Sequence, residues 1–155
     1  KARVVLLKKY DENGFIFYTN YNSEKGKAIL HNPNICLSFF WHSQERQVII
    51  KGVAEKTDDS VSDNYFASRP DGSKLGAIVS NQSEVIPDRT FLENQLKALE
   101  NETVGKEILR PKHWGGFLIR PVAIEFWQGR PNRLHDRIRY TLQADYSWQI
   151  DRLAP

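Results

Sequence analysis

The 155-residue chain has no methionine and a single cysteine. A translated chain opens on methionine, so a further N-terminal segment is expected ahead of residue 1. One thiol excludes an intrachain disulfide framework and a cysteine metal centre. That thiol, Cys36, lies in the apolar run from Ile35 to Trp41 and reads as a buried small hydrophobe. The four histidines, His31, His42, His113 and His135, lack metal-ligand spacing, so no metal is expected. No apolar stretch reaches the length of a membrane span and no signal-peptide pattern opens the chain, which makes the cytoplasm the expected location. Also missing are G-x-G-x-x-G, G-x-x-x-x-G-K-S/T, G-x-S-x-G and H-E-x-x-H, which disfavours dinucleotide-fold, P-loop, serine-hydrolase and zinc-protease chemistry. If the chain catalyses a reaction, an organic cofactor is the natural carrier of the difficult step.

What is present is ordinary in bulk: 40% hydrophobic against 26% charged residues suits one globular domain over residues 1–155. The net charge of +3 favours anionic partners. Its cations are interspersed with acids rather than gathered in a basic tail, which fits small phosphorylated ligands better than nucleic acid.

Hydrophobic periodicity predicts a strand from Val4 to Lys8, a hairpin turn at Asp11–Gly14 and a strand from Phe15 to Thr19. Ser23 caps a short helix running to Leu30, which Asn32-Pro33 ends. Strands follow at Ile35–Trp41 and Gln47–Glu55, then helices at Asp58–Ser68 and Asp88–Asn101. The chain returns to strands at Phe117–Ile119, Val122–Gln128, Arg137–Leu142 and Trp148–Leu153. Many short strands without a βαβ rhythm imply a mainly β, antiparallel small barrel with inserted helices.

Several clusters could carry chemistry. In an extended strand Arg133, His135 and Arg137 would share one face, two cations flanking a titratable ring. Tyr65 and Arg69, four residues apart on a helix, stack on one side; with Ser73 and Lys8 they are donors suited to phosphate oxygens. Ser80–Ser83 is a polar loop that can bind a ligand or cap the helix beginning at Asp88. Gln47, in a β-branched strand, is expected to face inward or across a subunit boundary. Trp114 and Trp127 could wall a flat ring, whereas Trp41 and Trp148 read as core.

Taken together, these motifs resemble the flavin-dependent pyridoxine (pyridoxamine) 5′-phosphate oxidases. The likeness runs through Arg3–Lys8, Phe17–Asn20, Glu45–Val48, Tyr65–Pro70, Gln82-Ser83, Trp114–Gly116, Glu125–Gly129 and Arg133–Arg137. It implies an FMN-binding split β-barrel of Greek-key type and a homodimer with FMN at the subunit interface. By the same resemblance, FMN contacts fall on Arg3, Val4, Val5, Leu6, Leu7, Lys8, Tyr18, Thr19, Lys25, Gln47, Gln82, Ser83, Trp127 and Arg137. Substrate contacts fall on Lys8, Tyr65, Arg69, Ser73, Arg133, Leu134 and His135, with Arg133 and His135 beside the reacting atoms. The implied reaction takes a hydride from C4′ of pyridoxine or pyridoxamine 5′-phosphate to flavin N5 and yields pyridoxal 5′-phosphate. Dioxygen then reoxidises the flavin with release of hydrogen peroxide.

The chain departs from that family's pattern at one position. Where its members commonly carry Ser-Arg-Lys, this chain has Ser23-Glu24-Lys25. An inward carboxylate there would repel a phosphate, so either Glu24 faces solvent or the clasp relies on Lys25 and Arg3. The alternatives are a related flavin oxidase of another aromatic metabolite, of the phenazine-pathway type, a non-catalytic flavin- or haem-binding barrel, and a basic oligonucleotide-binding barrel. Retention of Tyr65, Arg69 and Ser73 argues against the first, since a substrate without phosphate has no use for that clasp.

Overall fold

In the computed structural model, which describes residues 1–155, the chain opens with six irregular residues and then forms a hairpin of β1 (Leu7–Asp11) and β2 (Gly14–Asn20). The hairpin closes where expected. Asp11 Oδ1 accepts from the Asn13 amide at 2.9 Å, and Gly14 takes φ 139°, which a side chain would resist. The first strand starts later than Val4. Its pairing jumps from Leu7 opposite Phe17 to Lys9 opposite Ile16, leaving Lys8 as an extra residue in a bulge. Such a bulge re-aims a side chain, and here it releases Lys8 from the ladder.

Ser23 caps α1 (Glu24–His31), its hydroxyl accepting from the Gly26 amide at 3.2 Å, and Asn32 ends the helix before Pro33. Strands β3 (Asn34–Trp41) and β4 (Arg46–Lys56) pair antiparallel through a tight turn that holds Glu45 left-handed. Three helices follow: α2 (Asp59–Ala67), α3 (Asp71–Val79) and α4 (Arg89–Thr103). Asp88 caps α4 itself, accepting from the Phe91 amide at 2.8 Å. The second of these helices was not expected. Gly72 and Gly76 weaken its local propensity, while Pro70 at its entry, the Asp71–Lys74 pair at 2.9 Å and buried Leu75 supply what the glycines lack.

The last third of the chain is β5 (Trp114–Gln128), β6 (Asp136–Leu142) and β7 (Trp148–Arg152). β5 replaces the two separate strands expected at Phe117–Ile119 and Val122–Gln128. It crosses Pro121 because its pairing with β4 shifts there, Lys51 facing Ala123 and Gly52 facing Pro121, so the missing amide falls at a bulge. All seven strands form one antiparallel sheet. One edge of β5 pairs with β4 along most of its length; the other pairs with β2 over residues 114–119 and with β6 over 123–128. The sheet therefore divides about β5, each half served by a different neighbour.

The core gathers at the β2 end, around Phe17, Tyr21, Ala54, Phe117 and Ile119, with Val5, Ile29, Ile35 and Leu37 packed against it. The glycine pair Gly115-Gly116 lets α2 sit close on β5. A Cβ on Gly115 would collide with the Tyr21 ring and Ser62, and the Gly116 amide donates to buried Ser62 Oγ at 3.1 Å. The other half of the sheet is far less covered. Three burial expectations fail there, for one reason: Cys36 is exposed, Trp41 is 46% exposed and Trp148 is 38% exposed. Their strands, β3 and β7, are sheet edges.

Candidate functional site

A recess of about 640 Å³ opens between the N-terminal segment, β2, α2 and α3. Val4, Val5, Leu6, Lys8, Tyr18, Thr19, Lys25, Tyr65, Arg69, Ser73 and Gln82 line it, together with Asn20, Pro70, Gly76, Ala77, Ser80 and Trp114. The bulge brings Lys8 to it, the helical spacing of α2 brings Tyr65, and Ser73 comes from the first turn of α3. The phosphate-suited donors Lys8, Tyr65, Arg69 and Ser73 therefore meet around one space.

One wall is aromatic. The Tyr18 and Tyr65 rings stack at 3.9 Å between centroids, nearly parallel, and Trp114 lies parallel to Tyr65 at 6.2 Å. The Arg69 guanidinium rests on Trp114, its carbon 4.6 Å from the ring centroid. Arg69 Nη1 is buried and has no hydrogen-bond partner, and no carboxylate pairs with this residue. Burial pushes the Arg69 guanidinium below its ordinary range. A cation so placed lacks an anion.

A second polar group sits at the other side of the recess. Lys25 Nζ donates to Thr19 Oγ1 at 3.1 Å and to Gln82 Oε1 at 2.9 Å, and Thr19 donates to the same Gln82 oxygen at 3.2 Å. Burial, and then the charge of Arg3, lower the Lys25 ammonium from its usual value. Ser83, held left-handed at φ 79°, accepts from the Glu24 amide at 3.3 Å and leaves its own side chain just outside the recess. Arg3 and Leu7 also stand beside the recess rather than in it, Arg3 in a neighbouring hollow that shares Lys25. The Glu24 carboxylate neither faces solvent alone nor enters the recess. It binds Arg3, and Lys1 at 3.3 Å, and these partners hold its carboxyl below the usual range, Lys1 first and Arg3 second.

The remaining candidate residues lie elsewhere. Gln47, Trp127 and Arg137 stand side by side across β4, β5 and β6, in directly opposed register. Gln47 Nε2 donates to Ser38 Oγ at 3.3 Å. Arg137 donates to Glu125 at 2.8 Å and to the Ala154 carbonyl at 3.0 Å. The His135 ring packs 4.8 Å from Trp127, with Nδ1 accepting from the Arg130 amide at 3.1 Å. The expected strand face of Arg133, His135 and Arg137 does not form. Asn132 and Arg133 are both left-handed, at φ 58° and 62°, so the chain turns there and only Arg137 belongs to β6. Two such residues in a row are strained, a pattern that gathers at functional turns. Arg133 and Leu134 project to solvent with no side-chain partner for the guanidinium.

Trp114 and Trp127, expected as one aromatic wall, bracket opposite ends of β5. At about 3.3 Å per residue, the thirteen steps between them span roughly 40 Å along the strand. Recess and patch are thus separate places on one chain. Arg110 went unnoticed in the sequence: its partners are Asp59 and Asp63, about fifty residues earlier, and no local pattern announces them. No helix is long and apolar enough to cross a membrane.

Comparison with known proteins gives consistent relatives. Residues 1–101 match the family model described as pyridoxamine 5′-phosphate oxidase, and residues 114–155 match the pyridoxine 5′-phosphate oxidase C-terminal dimerisation region. A pyridoxine/pyridoxamine 5′-phosphate oxidase of Flavobacterium johnsoniae is 73% identical over 154 residues, 99% of this chain and 72% of that protein. The protein of the same name from Flavobacterium psychrophilum is 70% identical over the whole chain and 72% of its own length. Among solved structures, PhzG from Burkholderia lata, in complex with tetrahydrophenazine-1-carboxylic acid, superposes with a TM-score of 0.93 at 27% identity, covering 100% of this chain and 75% of that one. A pyridoxamine 5′-phosphate oxidase-related, FMN-binding protein from Nostoc punctiforme shares the fold at a TM-score of 0.74 and 15% identity, over 99% of this chain and 80% of that one.

Proposed function

The chain belongs to the pyridoxamine 5′-phosphate oxidase family, and from that premise we propose that it oxidises pyridoxine or pyridoxamine 5′-phosphate to pyridoxal 5′-phosphate with FMN as cofactor. The observation that carries this reading is Arg69: a guanidinium desolvated on Trp114, without an acidic partner, beside Tyr65, Ser73 and Lys8. That set is a seat for a phosphate dianion, and it distinguishes a phosphorylated substrate from a bare ring.

The chain's own residues fit FMN as well. Lys25, Thr19 and Gln82 form a connected polar cluster in which Lys25 is crowded by Arg3, so a second phosphate would relieve like-charge repulsion there. When bound, the flavin supplies the hydride acceptor and passes the electrons to dioxygen, giving peroxide. The protein's part is to anchor each ligand by its phosphate and to fix the two rings against each other. Arg133 and His135 are assigned to the substrate ring, Leu134 to its contact surface, and Gln47, Trp127 and Arg137 to the flavin.

These assignments require two copies of the chain. Recess and patch lie at opposite ends of β5, and only 20 of 155 residues are buried in the single chain. Trp41, Phe126, Trp148 and Ile150 leave apolar surface exposed on one face of the less covered half of the sheet and Phe40 on the other, within or against the segment that matches a dimerisation region. In a homodimer with two-fold symmetry the patch of one protomer completes the recess of the other.

The test is anaerobic mixing of the FMN-loaded protein with each phosphorylated vitamer while flavin absorbance is recorded. Bleaching by either vitamer, followed by peroxide release on admitting oxygen, is the expected result. The similarity to PhzG favours one competing reading, oxidation of a reduced phenazine carboxylate. Bleaching by such a tricycle, with no response to phosphorylated pyridines, would establish that reading in place of ours.

A further inference from the structure

A buried arginine outside the recess bonds both elements that carry the Tyr65–Arg69 clasp and its platform. Arg110 precedes β5 and its side chain is only 8% exposed. Each arm of its guanidinium has a different partner: Nε donates to Asp63 at 2.6 Å, Nη2 to Asp59 at 2.5 Å, and Nη1 to the Trp114 carbonyl at 2.7 Å. Asp59 and Asp63 are one turn apart on α2, the helix that carries Tyr65 and leads directly into Arg69. Trp114 is the ring on which Arg69 rests and with which Tyr65 is parallel. A single planar fork thus joins the helix bearing the clasp to the strand end bearing its platform.

We propose that Arg110 is a positioning residue for phosphate recognition, holding α2 and Trp114 in the register that lets Tyr65 and Arg69 converge. The inference rests on the function proposed above and extends it to a residue that touches neither ligand. Other contacts between α2 and β5 set their separation: Ser62 Oγ accepts the Gly116 amide, and Phe66 meets Trp114 edge-on with centroids 5.3 Å apart. Those contacts run through Ser62 and Phe66, whereas Arg110 ties the two carboxylates of α2, Asp59 and Asp63, to the strand end. Lysine cannot reproduce the arrangement, because an ammonium lacks the three-way planar fork.

The experiment compares the FMN-loaded wild type with Arg110→Lys and with the double variant Asp59→Asn/Asp63→Asn, which keeps the buried guanidinium and removes its charged partners. The readouts are kcat and KM for pyridoxine 5′-phosphate, inhibition by inorganic phosphate, bound FMN, and the near-ultraviolet circular dichroism of the stacked Tyr18, Tyr65 and Trp114. Arg89→Ala, on an exposed α4 pair, serves as the control. We expect KM to rise about tenfold and phosphate inhibition to weaken in parallel, with kcat and bound FMN within about twofold and the aromatic dichroism altered. An unchanged KM in variants that remain folded would overturn the proposal, as would equal losses of kcat, FMN and substrate affinity. If the wild type itself ignored phosphorylated pyridines, the proposed function would fail. The dichroism would still report whether Arg110 orders the Trp114 platform, and an unaltered spectrum would remove the positioning role too.

Discussion

The recess and the distant patch are built in different ways. The recess is assembled from packed elements: a bulge that turns Lys8, a helix docked through Gly115-Gly116, and an aromatic stack that carries Arg69. The patch is a strained turn and a row of strand residues on a half-covered sheet, with Arg133 unattached and Phe126 47% exposed. A protomer alone finishes the first and leaves the second open. On the function proposed above, affinity for phosphates would belong to a single folded chain, whereas chemistry at the substrate ring would wait on assembly.

The sharpest way to break this contrast is Arg133→Ala. Arg133 has no structural bond to lose, so the expected result is a fall in kcat of about a hundredfold, with bound FMN within about twofold, read from steady-state rates and absorbance. Equal loss of both would place Arg133 in the cofactor seat instead. Gly115→Ala acts on the other region. The added methyl meets Tyr21 and Ser62 behind the recess, and denaturant melts should show a loss of about 1–3 kcal/mol with the oligomeric state unchanged. Undiminished stability would mean that α2 has room to move off β5. The smallest effect is expected from Glu24→Arg, which removes the carboxylate bound to Arg3 and Lys1 on an exposed surface. Such pairs contribute little, so FMN affinity in a fluorescence titration should tighten only about two- to fivefold. No change would show that Arg3 does not serve the phosphate.

Much of the fold was legible because local rules and tertiary structure agree. The Asp11–Gly14 hairpin, the Ser23 cap, the Asp88 helix and the strand at Arg137–Leu142 all appear where turn chemistry and period place them. The clasp was legible in part, since helical spacing alone relates Tyr65 to Arg69. The failures have physical causes. Cys36, Trp41 and Trp148 look like core because apolar runs announce strands, but burial depends on what covers a strand, and β3 and β7 are edges. The face shared by Arg133, His135 and Arg137 assumed extended backbone through residues that turn left-handed. Helix α3 hid behind two glycines that its packing and its Asp71–Lys74 pair outweigh. Arg110 and its two carboxylates are joined only by folding, which no period in the sequence encodes.

The most direct test of a site shared between two chains mixes two inactive variants, Arg69→Ala from the recess and Arg133→Ala from the patch. The proteins are unfolded together, refolded at equal concentration with FMN, and assayed with pyridoxine 5′-phosphate. If each site takes its recess from one protomer and its patch from the other, half of the dimers are mixed and each holds one intact site, restoring about a quarter of wild-type activity. Activity no higher than that of the separate variants, in a sample shown to contain mixed dimers, would contradict the account.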